Sequence, residues 1–281
     1  MSYGKIVSKL RKNKNYSLEN ACRNTMTKSF LSKYEREKVN ISVTKFFKLL
    51  DNLNVEYDEI DYIKNGYRLS SKRRLEERII AAFQQIDLVE LEKLNDELVT
   101  ALETTEDIFF LHNHLLVYSL ICRVKNEKIN EEKVLPIKYY LFNTQYWGYY
   151  ELRLFTNMMF IYDLETLEFL IEKALKEVYL YRDLNANQDD LARMLINMVL
   201  CCFNHNNIRK AQKYLKTIES IGVKETAFFE KVTIEFLNGI FLIKTGHKIA
   251  GEEMCFFSLE VFKRLGMKEY ASYYKNYLEK I

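Results

Sequence analysis

The sequence predicts an all-α fold in two parts, a small basic helical unit followed by a long helical repeat. Three observations carry that expectation. Gly and Pro together supply 9 of the 281 residues, about 3% against roughly 12% in an average protein. Many short strands joined by tight turns need those residues, and helix interiors exclude them. Apolar residues recur at helical intervals along almost the whole chain, which is the pattern of amphipathic helices. Charge is uneven. Residues 1–50 hold 12 Lys and Arg against 3 acids, a net of +9, and residues 51–281 carry a net of −6. A basic head on an acidic body points to a polyanion-binding module joined to something else.

Taken in order, Ile6, Val7 and Leu10 predict an amphipathic helix over 3–12. Ser17 is placed to cap a short helix from Leu18 to about Arg23, and Thr27 to cap the next, whose apolar face is Phe30, Leu31 and Tyr34. The opposite face of that helix shows Lys28, Ser29, Ser32, Lys33 and Arg36. Ser42 caps a fourth helix with Val43, Phe46, Phe47, Leu49, Leu50 and Leu53, and a short turn around residues 58–60 closes the unit. Two short helices joined by a tight turn and buttressed by others describe a helix-turn-helix domain, expected over residues 1–62. Such a helix fits the major groove of double-stranded DNA, where short polar and cationic side chains reach base edges and neighbouring cations neutralise phosphates. Lys28, Ser29 and Lys33 are the candidates for base contacts, and Arg11, Lys12, Lys14 and Arg36 for phosphate contacts. Tyr34 and Phe46 are expected in the core. A solvated basic face on a small bundle is the plainer alternative.

These residues resemble a known family. Ser17-Leu18-Glu19 followed by Lys28 to Arg36, and Asn40-Ile41-Ser42-Val43 leading into Lys48 to Val55, are similar to the Xre-type helix-turn-helix of the Rgg/GadR/MutR transcriptional regulators. Two departures stand out. The family commonly has Gly after the Glu-Arg pair, where this chain has Glu37, and the turn before the recognition helix has Asn24 and Thr25 in place of a Gly. In such domains the Glu35-Arg36 pair often bonds internally.

Residues 61–70 break the helical pattern around Gly66, so residues 63–70 are expected to be a linker. Residues 71–281 then read as about ten helices. Leu88, Leu91, Leu94, Leu98 and Leu102 form one stripe, Leu164 to Val178 a second, and Ile208, Ala211, Leu215 and Ile218 a third. Polar breaks fall near residues 104–105, 126–132, 143, 185–189, 204–207, 222–225 and 245–251. A repeat runs through this region. Arg153-Leu154-Phe155-Thr156-Asn157 aligns with Arg193-Met194-Leu195-Ile196-Asn197, and a weaker third copy contains Asn238. Each copy precedes a second amphipathic helix. Helix pairs at this period signal a tetratricopeptide-like α-helical solenoid, the repeat domain expected over 71–281.

Arg153/Asn157 and Arg193/Asn197 are each one turn apart, so each pair shares a helix face. Stacked repeats would align Asn157, Asn197 and Asn238 as a ladder. An amide carries donors and an acceptor and can pair with both sides of a peptide backbone, while Arg offers a fork for a carboxylate. These five residues are therefore the candidate peptide contacts, the alternative being that the amides tie neighbouring helices together. Trp147-Gly148-Tyr149-Tyr150-Glu151-Leu152-Arg153-Leu154-Phe155 resembles a recurrent segment of the Rgg-type helical domain. That resemblance implies a short, secreted and reimported signalling peptide as ligand. Tyr149, Phe155, Phe160, Tyr181, Phe203, Phe236 and Phe241 are expected to pack in the core, as are Cys201 and Cys202. The last helix, with Tyr270, Tyr273, Tyr274 and Tyr277, suits an interface or a cap on the solenoid. Gly239 alone is expected inside a helix, where it would let a neighbouring helix or a bound peptide come close.

No enzyme motif emerges. Gly246 to Gly251 has the glycine spacing of a phosphate loop, but Glu252-Glu253 stands where Lys-Ser/Thr is required. His112 and His114 project apart on a helix, which makes them poor joint metal ligands. No cofactor and no metal is expected. The five cysteines are scattered, residues 1–20 lack the apolar core of a secretory signal, and no apolar run reaches about 18 residues. A cytoplasmic location without membrane contact is expected. The combined expectation is a quorum-sensing type of transcriptional regulator, binding DNA as a homodimer under control of a short, hydrophobic peptide, with RNA polymerase as a further partner. A repressor whose helical part only dimerises, and a helical adaptor that binds no DNA, remain as alternatives.

Overall fold

The computed structural model describes residues 1–178 and 185–281, and all regular secondary structure among them is helical. It divides into two compact units, Met1–Leu91 and Glu92–Ile281.

The first unit starts with five helices around one core: α1 (Tyr3–Asn13), α2 (Leu18–Cys22), α3 (Lys28–Glu35), α4 (Val43–Leu53) and α5 (Tyr57–Lys64). Their starts follow from hydroxyl caps. Ser17 accepts from the Asn20 amide at 3.1 Å, Thr27 from Phe30 at 3.2 Å and Ser42 from Lys45 at 3.4 Å, each cap worth about 1 kcal/mol. Ile6, Val7, Leu31, Leu49, Leu53 and Ile60 are completely buried between the helices. Tyr34 is buried as expected, whereas Phe46 is half-buried with its edge on Tyr3, and Val43 and Phe47 stay exposed. Gly4 is required because a Cβ there would collide with the Tyr34 carbonyl. The expected fifth turn is a two-turn helix, its start capped by Glu59, whose Oε1 accepts from the Glu56 amide at 3.1 Å, and it runs through residues 61–64. Only residues 65–70 break the pattern before α6 (Ser71–Gln84).

The two turns that lack the family's glycines are built from strained side-chain residues. Glu37 stands at φ 61°. Before the recognition helix the strain falls on Arg23, at φ 40° and ψ −127°, and not on Asn24 or Thr25. Asn52 of α4 tethers that turn, donating to the Ala21 carbonyl at 2.9 Å and to Thr25 Oγ1 at 3.1 Å. A residue with a Cβ is disfavoured by roughly 1–2 kcal/mol in such conformations. Replacing exposed Arg23 by Gly is therefore expected to raise the stability of this unit by about 1 kcal/mol after the greater chain entropy of Gly is subtracted. A higher urea midpoint by far-UV circular dichroism is the check, and a lower midpoint contradicts the strain.

α7 (Leu88–Leu102) spans the division, with Leu91, Leu94 and Leu98 buried. The second unit continues with α8 (Ile108–Lys125), α9 (Glu131–Asn143), α10 (Tyr149–Met158), α11 (Leu164–Val178), α12 (Asn185–Asn204), α13 (Ile208–Ile221), α14 (Phe228–Lys244), α15 (Lys248–Arg264) and α16 (Lys268–Leu278). α12 packs on α13 and α14 on α15, while α10, α12 and α14 pack side by side. Alternate helices meeting their neighbours in succession is solenoid connectivity. Two expected breaks moved. Residues 185–189 already belong to the start of α12, where polar residues are favoured over the helix middle. α15 begins at Lys248, so Gly251 lies inside a helix as Gly239 does. Tyr274 of α16 sits between Phe236 (4.9 Å) and Phe262 (5.6 Å), so this helix closes the stack, with Tyr273 left exposed. None of the helices is long and apolar enough to cross a membrane among the described residues.

Candidate functional site

In the first unit, α3 presents Lys28, Ser29, Lys33 and Arg36 to solvent. Lys33 and Lys12 have no partner among the described residues. Lys28 pairs with exposed Glu19 at 2.7 Å. An exposed pair of this kind contributes little and exchanges readily for another anion. Lys14 binds the carbonyls of Leu53 and Asn54 at the end of α4, and Arg36 donates to the Ser32 carbonyl one turn back.

Arg11 departs from the sequence expectation. It is 8% exposed, and its Nε and Nη2 donate to the two oxygens of Glu35 at 2.6 and 2.8 Å. Its Nη1 donates to the Tyr16 carbonyl at 2.6 Å. Glu35 also accepts from Ser8 Oγ at 2.9 Å. The internal partner of Glu35 is thus Arg11 and not Arg36. The reason is geometric. Arg36 ends α3 with its side chain facing out, while α1 packs across α3 and brings Arg11 to the buried carboxylate. Arg11 holds two helices together and leaves the set of phosphate candidates.

In the second unit, Asn157, Asn197 and Asn238 lie on α10, α12 and α14, the three helices that pack side by side. All three are half-buried, and none of their side-chain amides has a hydrogen-bond partner among the described residues. They do not tie the helices together. That work is done one and two turns away by Arg193 with two acids that the sequence reading missed, Glu230 and Asp190. Arg193 Nε donates to Glu230 Oε1 at 2.8 Å, joining α12 to α14, and Arg193 Nη1 lies 3.5 Å from Asp190 Oδ1. Burial pushes the Asp190 carboxyl up from its ordinary pKa, against the pull of Arg193 and Arg153. Glu230 is 3% exposed, whereas the Arg193 side chain is half-exposed. The arginines therefore keep an outward face while their charge is balanced from behind. The i, i+3 spacing of Asp190 and Arg193 was the available signal. Nothing in the sequence marked Glu230.

Arg153 stacks over Tyr149 at 5.1 Å and donates to its hydroxyl at 3.3 Å. Tyr149 is exposed and belongs to this face, not to the core. Phe155, Phe203 and Phe236 are buried as expected, while Phe160 and Phe241 are half-buried. Tyr181 lies outside the described residues. Cys202 is buried, but Cys201 is half-buried with Sγ 3.7 Å from His205 Nδ1. No group of three or more potential metal ligands occurs among the described residues.

The model of the C-terminal domain of the helix-turn-helix type transcriptional regulator Rgg matches residues 91–276, and a helix-turn-helix model matches residues 7–60. The chain belongs to the Rgg family. Solved structures share the fold over essentially the whole length. A protein described as a transcriptional regulator from Listeria monocytogenes EGD-e is 19% identical with a TM-score of 0.86, covering 99% of this chain and 96% of that one. The pheromone receptor Rgg2 of Streptococcus dysgalactiae is 22% identical with a TM-score of 0.78, covering 99% of each chain. PrgX, solved in complex with cCF10, is 18% identical with a TM-score of 0.72, also covering 99% of each. The Rgg family assignment makes this chain a transcriptional regulator with a helix-turn-helix DNA-binding domain.

Proposed function

We propose that this Rgg family member is controlled by a short signalling peptide bound along the face of α10, α12 and α14. The observation that carries this is the row of three half-buried amides without partners, Asn157, Asn197 and Asn238. These amides are half-exposed and free of internal partners among the described residues, so a row of them on adjacent helices is open to an extended backbone, whose N–H and C=O groups an amide can both satisfy. Arg153 and Arg193 flank the row. The similarity to Rgg2, named as a pheromone receptor, and to PrgX, solved with cCF10, supports the same ligand class.

On the DNA side, Lys28, Ser29 and Lys33 read bases, and Lys12, Lys14 and Arg36 neutralise phosphates. The protein acts as a cytoplasmic homodimer on two half-sites, because pairing half-sites multiplies both affinity and site length. Residues 1–64 form the DNA-binding part, 65–70 the linker and 71–281 the ligand and dimer platform. Peptide shifts the regulator only by binding one of its arrangements more tightly than another.

The test is affinity capture from a synthetic pool of apolar peptides of about eight residues, comparing wild type with a variant carrying Asn157→Ala, Asn197→Ala and Asn238→Ala. Three partly buried amide contacts at about 1 kcal/mol each correspond to a loss of at least 100-fold. Equal capture by both proteins contradicts the ladder, and no capture by either contradicts the peptide.

A further inference from the structure

His112 lies in the second turn of α8 and is completely buried. Two helices close over it. From α9, the Tyr140 ring lies 4.5 Å away, and from α10 the Tyr150 ring stacks at 6.0 Å. His112 Nδ1 is 2.9 Å from the Tyr150 hydroxyl, and Nε2 has no partner. Tyr140 in turn donates to Glu151 Oε1 at 2.6 Å, and Glu151 Oε2 accepts the Gly148 amide at 2.9 Å. That last bond caps the N-terminus of α10, the helix bearing Arg153 and Asn157. The titratable groups facing the imidazole are therefore Tyr140 from α9 and Tyr150 and Glu151 from α10. His114, on α8 itself, is held down by burial and by Lys133.

Burial pushes the His112 pKa down to about 4, with Glu151 pulling the other way. A proton on this ring creates a buried cation with two donors. The nearest anion is Glu151, and both of its oxygens are already committed, one to Tyr140 and one to the α10 cap. An imidazolium can gain its counter-charge only by drawing Glu151 off the cap, or gain water only by parting α10 from α8. Either movement opens the first turn of α10.

We propose that His112 is a proton-operated latch on α10, whose protonation releases the Glu151 cap, frees the first turn of the helix and loosens the ladder face that begins at Arg153. The last step rests on the peptide reading above. The proton step does not.

The linkage has a definite sign and window. The closed state holds the neutral ring, and in the opened state His112 titrates near its ordinary value of about 6.5. Opening therefore takes up a proton below that value and becomes easier by about tenfold per pH unit, down to the closed-state pKa.

Amide hydrogen exchange of the full chain without peptide, corrected for the intrinsic pH dependence of exchange, reads this directly. Between pH 7 and pH 5 the protection of residues 149–153 is expected to fall by more than tenfold, and His112→Gln is expected to abolish that dependence. An unchanged dependence in His112→Gln overturns the latch. So does a loss spread evenly over α8 to α16, and so does an imidazole resonance of His112 that titrates near 6.5. If His112→Gln fails to fold, the position of the wild-type loss and the imidazole titration decide the matter. Because no ligand is added, failure here is distinct from failure of the peptide capture.

Discussion

Arg11→Ala is expected to destabilise the unit Met1–Leu91 by about 3–5 kcal/mol, the usual result of removing one partner from a buried ion pair. Small domains have only about 5–15 kcal/mol in total, so the variant should lose DNA binding by unfolding and not by losing a phosphate contact. The prediction rests on what remains behind. Glu35 would keep its charge in a 9% exposed site with only Ser8 Oγ as donor, and the Tyr16 carbonyl would lose the Nη1 bond. The double variant Arg11→Met with Glu35→Gln removes both charges at nearly constant volume and leaves an acceptor for Ser8. It is expected to recover at least half of the loss, since matched neutral replacements of buried pairs are often tolerated. Urea unfolding by far-UV circular dichroism measures both. Fluorescence of Trp147, the sole tryptophan and buried in the other unit, serves as an internal control expected to stay constant. The contrasting outcome is specific. An unchanged midpoint with a weaker salt dependence of DNA binding would return Arg11 to the phosphate contacts, as is expected of Lys12→Ala.

The difference between Arg11 and Lys12 shows where sequence reasoning reached and where it stopped. Helix starts were legible because a cap is a local device. Ser17, Thr27 and Ser42 each accept from an amide three residues ahead. Buried stripes were legible for the same reason, and Leu167, Leu170, Ile171 and Ala174 are buried as their spacing requires. The partner of Arg11 is 24 residues away on another helix, and Glu230 is 37 residues from Arg193. No periodicity within one helix encodes such pairs. They depend on how helices cross, so a buried cation and an exposed one look alike in the sequence. The placement of Asn157, Asn197 and Asn238 on three adjacent helices was legible as a repeat. That its amides are unpaired was not, because the opposite arrangement, with the amides tying helices, has the same spacing. The missing glycines were legible as departures from a family pattern, but which residue would bear the strain was not. Asn52 anchors the turn before α3 from α4, 27 residues from Thr25, and Arg23 bears the positive φ.

Gly239→Leu is expected to disrupt the packing of α14 on α15, and so the second unit itself, with any loss of peptide binding as a consequence. The sequence left two occupants for the space beside Gly239, a helix or a ligand. The structure places a helix there. A Cβ on Gly239 would stand 2.7 Å from Cys255 Sγ, 2.8 Å from the Gly251 carbonyl oxygen and 3.1 Å from the Cys255 amide nitrogen. Gly251 has the reciprocal constraint, its own Cβ meeting the Gly239 carbonyl oxygen at 2.5 Å. Two of the three contacts at Gly239 are backbone atoms, which cannot rotate aside, so the helices themselves must separate. Even Gly239→Ala sets a gain of about 1 kcal/mol in helix propensity against overpacking of about 1–3 kcal/mol, and the backbone contacts put the balance on the side of loss. Gly239→Ala with Gly251→Ala should be worse than the sum of the single changes, because each Cβ demands the same separation. The measurement is urea unfolding followed by Trp147 fluorescence. An unaltered midpoint for Gly239→Leu together with a selective loss of peptide capture would show that the space belongs to the ligand. A lowered midpoint for Gly251→Leu as well as Gly239→Leu would show that it belongs to the crossing, since Gly251 lies on α15 and outside the ladder.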